Sequence, residues 1–163
     1  MTPWWELALR MVLAAALGGL IGWEREARGK PAGLRTLMLV SLAAAIFVLA
    51  ALEANPLLVG PGDSARAMAA VAQGIGFLGA GAILQARGEI RWLTTAASLW
   101  AAAALGVATG LGAYLLAILG GLLIYAILHW VPHIEERWIH GPEQRSRGPE
   151  PRAEDGGHEG DRA

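Results

Sequence analysis

Charge in this chain is segregated, and that segregation limits what it can fold into. Residues 7–23, 37–52, 67–86 and 93–128 form four long apolar stretches, interrupted only by Arg10, while the other ionisable residues gather between them and in the tail. Of the 163 residues, 55% are hydrophobic and 17% charged, which favours membrane over cytosol. The last stretch holds 36 residues, about 54 Å as one helix against a hydrocarbon core of about 30 Å, so it must break. Gly110-Leu111-Gly112 is the expected break, and a fifth span then runs from about residue 113 to 130, where Pro132 closes or kinks it.

Residues 67–85 carry no charge and place Gly74, Gly76, Gly79 and Gly81 within eight positions. In water each would cost a helix roughly 0.5–1 kcal/mol relative to alanine. In lipid the backbone must be helical, and glycine lets a neighbour approach closely. This stretch is expected to be the central span, with the others packed on its glycine face; an unwound stretch offering carbonyls to a cation is the lesser alternative. Gly74-Ile75-Gly76-Phe77-Leu78-Gly79 also matches the dinucleotide spacing, but no strand precedes it, so the nucleotide reading is set aside. Two further rows, Ala14/Gly18/Gly22 and Ala102/Gly106/Gly110, have the small-xxx-small spacing of closely packed membrane helices.

Thr2 reads as an N-cap with Pro3 at the first helical position, and Trp4 and Trp5 as interfacial aromatics. Arg10 lies four residues from Glu6 on one face. It either snorkels to the headgroups or turns inward to a backbone carbonyl or carboxylate. Thr94 and Thr95 are candidate caps for the fourth helix. The lack of cysteine removes disulfides and thiolate chemistry, and a cleaved signal peptide is not expected, since the first apolar run lacks a basic leader. Beyond Gly141 the tail has too few apolar residues to fold.

Of 13 basic residues, four lie in the first loop, two in the third, five in the tail, one in the second loop and one in the first span. The positive-inside rule then puts the N-terminus outside and the C-terminus in the cytoplasm. The expected architecture is an all-α integral membrane bundle of five transmembrane helices over residues 1–133, followed by a largely disordered cytoplasmic tail over 134–163.

Gly22-Trp23-Glu24-Arg25-Glu26, Lys30-Pro31-Ala32-Gly33-Leu34-Arg35-Thr36, Gly74-Ile75-Gly76-Phe77-Leu78-Gly79-Ala80-Gly81 and Leu93-Thr94-Thr95-Ala96-Ala97-Ser98-Leu99-Trp100 occur in this order. Together they resemble the membrane domain of the MgtC/SapB family over roughly residues 7–115. The family often has histidine where this chain has Leu37, glycine where it has Trp92, and a polar residue where it has Ala70. The resemblance implies a multi-pass protein of the bacterial inner membrane linked to growth or survival at low magnesium. It leaves open whether such proteins transport magnesium or regulate another membrane complex. Some relatives carry a folded soluble C-terminal domain, and a role tied to that domain is not carried over to this short tail.

Glu24, Arg25, Arg35 and Thr36 sit at the ends of the first two spans and can form a partly dehydrated network. Such a network serves as a gate, ion site or docking surface, or simply anchors the helix ends, where exposed pairs contribute about 0–1 kcal/mol. Arg10 joins them as a functional candidate. The packing candidates are Gly18, Gly22, Gly74, Gly76, Gly79, Gly81, Gly106 and Gly110. No acidic residue lies inside spans two to five to hold magnesium. His129 and His133 have a metal-pair spacing, but Pro132 disturbs the helix between them and no third ligand is fixed, so no metal site is expected. No Ser-His-Asp or paired-carboxylate arrangement stands out, so enzyme activity, a catalytic residue and a cofactor are not expected. The expected partners are the lipid bilayer, a membrane protein or further copies of the chain, and not nucleic acid. The reading as a whole is a regulator or interaction module in adaptation to low magnesium, with a small cation transporter or channel as the alternative.

Overall fold

The computed structural model describes residues 2–53, 60, 62–84 and 92–138; expectations for the loops at 54–59, 61 and 85–91 and for the tail beyond 138 lie outside the described residues. Among the described residues five helices follow one another: α1 (Trp4–Ala27), α2 (Leu34–Glu53), α3 (Asp63–Leu84), α4 (Leu93–Gly110) and α5 (Tyr114–Trp138). Each is long and apolar enough to cross a membrane, and no strand occurs among the described residues. The protein is therefore an all-helical multi-pass membrane protein. The chain divides into two units, Met1–Val131 and Pro132–Ala163, and of the second only the helical residues to Trp138 are described.

Helix ends follow from local chemistry. Pro3, extended at φ −63°, is the N-cap of α1 rather than its first helical residue, and its carbonyl accepts from Glu6 and Leu7 at 2.9 and 3.2 Å. Thr2 turns instead to the Glu53 carboxylate at the end of α2. Both α1 and α4 stop in the same way. After α1, Gly29 takes φ +61° and Lys30 N–H reaches back to the Arg25 carbonyl at 2.9 Å; after α4, Gly112 takes φ +77° and Ala113 N–H reaches the Ala108 carbonyl at 2.9 Å. These are Schellman closures, in which glycine carries the left-handed residue without a Cβ penalty. The long apolar stretch thus breaks at the glycines the sequence marks.

Two left-handed residues are not glycine: Ala32 at φ +55° and Trp92 at φ +66°. Trp92 is the N-cap of α4 and no side chain caps that helix, so the threonines that follow are not its caps. A left-handed non-glycine residue costs roughly 1–2 kcal/mol, and Trp92 stands where the resembling family often carries glycine. Trp92→Gly should therefore be more stable than Trp92→Ala by about 1 kcal/mol in thermal unfolding in detergent, since neither variant keeps the indole and only one keeps the strain.

The core forms where α2 lies between α1 and α4, around Ile21, Leu37, Ala44, Val48, Ala102 and Leu105. Glycine allows that approach. A Cβ added at Gly22 would lie 2.6 Å from Leu34 Cα, and one at Gly18 would lie 2.8 Å from Ser41 Cβ. At Gly110 it would meet the Ala45 carbonyl oxygen at 3.0 Å, and at Gly106 it would overlap the Ser41 carbonyl. Gly120 and Gly121 seat α5 against Leu105 of α4 and Leu17 of α1.

The glycine-rich stretch is not the centre. α4 buries more than half of its spanning residues and α3 fewer than a fifth. No described atom would lie within 4 Å of a Cβ at Gly74, Gly76 or Gly81, and only Ala96 Cβ, at 3.7 Å, approaches one at Gly79. The reason is periodicity. Glycines four apart, as on α1 and α4, line one groove, whereas the spacing of two, three and two on α3 puts Gly74 and Gly81 on one face and Gly76 and Gly79 on the opposite one. α5 starts at Tyr114, where the fifth span is expected to begin, but it continues past residue 130 and through Pro132 to Trp138, so Pro132 does not close the helix.

Candidate functional site

The polar residues of α1 occupy its two ends, and each end is tied to α4. Arg10 turns inward. Its Nη1 donates to the Gly110 carbonyl at 2.7 Å, its Nη2 to Glu6 at 2.5 Å and its Nε to the Tyr114 hydroxyl at 3.3 Å. The guanidinium thus caps the C-terminal end of α4, where orphan carbonyls gather partial negative charge. It also braces the turn into α5, within 3.1 Å of the place a Cβ at Gly112 would take.

Arg25 does the corresponding work at the other end. It is 3% exposed. Nη2 donates to Thr95 Oγ1 at 2.6 Å and Nη1 to Ser98 Oγ at 3.1 Å, both in the first turns of α4. Nη2 and Nε also reach the Pro31 carbonyl at 2.8 and 3.2 Å, and Nε the Ala32 carbonyl at 3.3 Å. Arg10 and Arg25 are fifteen residues apart on α1, and Gly110 and Thr95 fifteen apart on α4, a rise of about 22 Å in either helix. Two antiparallel helices are pinned at matching heights. Among the described residues no carboxylate pairs with Arg25, so neutral oxygens of the loop and of α4 solvate its charge. The planar fork spreads five donors over three nitrogens and so reaches acceptors on two elements at once, a span that the three donors of a compact ammonium do not cover.

Glu24, one residue earlier, faces a different neighbour. It is 6% exposed, accepts from Arg28 Nε at 2.5 Å, and lies 3.2 Å from His129 Nδ1 on α5. Arg28 Nη2 donates in turn to the His129 carbonyl at 2.7 Å, and the Tyr125 ring stacks on the imidazole at 5.6 Å. This triad joins the end of α1 to α5 in the turn before Pro132. Among the described residues there is no group of three or more metal-ligating side chains.

The structure therefore divides the network expected from the sequence. Glu24 and Arg25 are about 100° apart around α1 and cannot share partners. Arg35 and Thr36 stand exposed in the first turn of α2, bonded to no described residue, and belong to neither cluster. Arg28 and Ser98 were not singled out by sequence, and Thr95 and His129 were given other roles than partners of Arg25 and Glu24. The Glu24/Arg28 spacing of four and the Thr95/Ser98 spacing of three, on otherwise apolar helices, were the available signals.

A five-helix multi-pass bundle whose first helix is pinned to the fourth by one arginine at each end defines a compact class of polytopic membrane protein. The MgtC family matches residues 11–137, and the chain belongs to that family. It is 39% identical over 133 residues to SrpB of Synechococcus elongatus, covering 72% of this chain and 70% of that protein. It is 39% identical over 127 residues to YhiD of Escherichia coli strain K12, covering 76% and 59%. With MgtC of Salmonella typhimurium it shares 43% identity over 116 residues, covering 71% and 48%. The chain thus spans about half to two-thirds of the length of most of these relatives. No solved structure matches it.

Proposed function

We propose that the protein is a bacterial inner-membrane component of adaptation to low magnesium, acting as a regulator or interaction module and not as a conduit. Its membership of the MgtC family supports the magnesium link, as does the name of the Escherichia coli relative, which provisionally assigns that protein to magnesium transport. One observation carries the choice of regulator: the charged side chains that turn into the described bundle, Arg10, Glu24 and Arg25, are spent on holding helices together. Glu24, the one buried carboxylate among the described residues, already accepts from a guanidinium and faces an imidazole. Two grooves, of about 400 and 320 Å³, are lined by alanine, valine, leucine and other apolar residues. Magnesium keeps several waters and seeks one or two free carboxylates, so apolar grooves do not suit it.

The proposal places the α1–α2 loop in the cytoplasm. Arg25, Arg28, Lys30 and Arg35 gather there, while the loop before α3 carries Arg66 alone. Purified protein in liposomes loaded with a magnesium-sensitive dye should give no protein-dependent influx. Protein-dependent flux that falls when Glu24 is changed to glutamine would overturn this reading in favour of transport.

A further inference from the structure

The exposed face of α3 carries a feature that lipid alone does not explain. Gln73 stands at the midpoint of the Asp63–Ile83 span, exposed, and bonded to no described residue. Among the described residues it is the one amide or charged side chain exposed in the middle of a spanning helix; the outer faces of α2 and α5 at that depth present Ile46, Phe47, Leu122 and Leu123. A primary amide has two donors and an acceptor. Left in hydrocarbon it forfeits every one of those bonds, and membrane helices meet that cost by hydrogen-bonding across to another helix.

The residues around Gln73 specify which helix. At 100° per residue, Ala70, Gly74, Phe77 and Gly81 fall within a strip about 60° wide, and Gln73 borders it. Phe77 is 81% exposed and projects from this strip, while Gly74 and Gly81 leave notches one helical turn before and after it. A knob and two notches on a single strip are complementary to themselves. So is an amide, which donates to and accepts from its own kind. Beside the strip a groove of about 400 Å³ opens between α2 and α3, lined by Phe47, Gly74 and Leu78 among others, with room for an aromatic ring arriving from outside. Self-complementarity of one patch is the requirement for an isologous two-fold contact.

We propose that α3 is the homodimer interface of this protein: two copies meet across a two-fold axis in the bilayer, each Phe77 entering the glycine notches of the other copy and the two Gln73 amides bonding to each other at the midplane. The inference shares with the proposed function only the placement of the chain in a membrane. It stands whether or not magnesium moves.

The chain has no cysteine, so single cysteines report the contact directly. In oxidised native membranes Phe77→Cys should give a disulfide-linked dimer. Leu123→Cys, on the outer face of α5 and 63% exposed, should stay monomeric. Adding Gln73→Leu to Phe77→Cys should lower the dimer association constant roughly three- to thirtyfold, and Gln73→Asn should lower it less. Because Gln73 is exposed and bonds to no described residue, the melting temperature of the monomer in detergent should not move, which separates lost pairing from lost folding. Equal cross-linking at residues 77 and 123, a monomer at both, a Phe77→Cys cross-link to a different protein, or a dimer indifferent to Gln73→Leu would each overturn the proposal. Dye influx in liposomes is read separately, so failure of this inference is not mistaken for failure of the functional reading.

Discussion

Gly106→Ala should destabilise the bundle by about 2 kcal/mol or more, although alanine is the better helix former by roughly 1 kcal/mol. The added methyl would overlap the Ser41 carbonyl oxygen and lie 2.8 Å from its carbon and 2.9 Å from Ala44 Cβ. Those obstacles are backbone and a Cβ, and neither can rotate aside. α4 would have to withdraw from α2, and the contacts around Leu105 and Ala102 would open with it, because close-packed interiors lose attraction steeply over a few tenths of an ångström. Gly74→Ala and Gly81→Ala, with open space around them, should leave stability unchanged or raise it by up to about 1 kcal/mol. Denaturant or thermal unfolding of the three variants in a detergent that keeps the protein monomeric makes the comparison. Equal losses at all three positions would contradict the packing of α2 between the glycine rows of α1 and α4.

That contrast also shows how far the sequence could be read. Five spans, the break at Gly110 to Gly112 and the two small-residue rows follow from hydropathy and from spacing, because a bilayer constrains length and a helix constrains which residues share a face. Which glycines would be covered does not follow from their density. α3 holds more of them than any other span, yet a spacing of two, three and two leaves no continuous groove, whereas four and four on α1 and α4 does. The far end of α5 is less legible for a related reason. Pro132 lacks an N–H and disfavours a helix interior by about 3 kcal/mol, which argues for a stop. The helix nevertheless continues to Trp138, and in the turn before Pro132 the Arg28 guanidinium holds the His129 carbonyl, a tertiary contact between residues 101 apart that no local rule supplies. Spacing alone paired His129 with His133; the fold sets His129 beside Glu24.

Arg25→Met is the substitution that best separates a folded lock from a string of surface charges. Sequence treats Arg25 and Arg35 alike, as basic residues bordering the first loop. In the structure Arg25 is buried with four oxygen acceptors, and Arg35 is exposed with no described partner. Methionine fills much of the same volume and donates nothing. Thr95 Oγ1 and the Pro31 and Ala32 carbonyls then lose their donor, while Ser98 keeps its bond to the Thr94 carbonyl at 2.7 Å. An orphaned buried acceptor costs about 1–3 kcal/mol, and water entering the half-buried loop recovers part of that, so a net loss of about 3 kcal/mol is expected. Arg35→Met should stay within about 0.5 kcal/mol of the parent. Arg25→Lys should recover only part of the loss, because an ammonium cannot span Thr95 and the loop carbonyls together. The loss has a local signature as well. Ala32 holds a left-handed conformation costing roughly 1–2 kcal/mol, and its carbonyl is among the groups that Arg25 fastens. Without that bond the loop should relax, and amide exchange at residues 29–36 should quicken before the helices unfold. Adding Ala32→Gly should return about 1 kcal/mol of stability without slowing that exchange, since it removes strain but supplies no tie to α4.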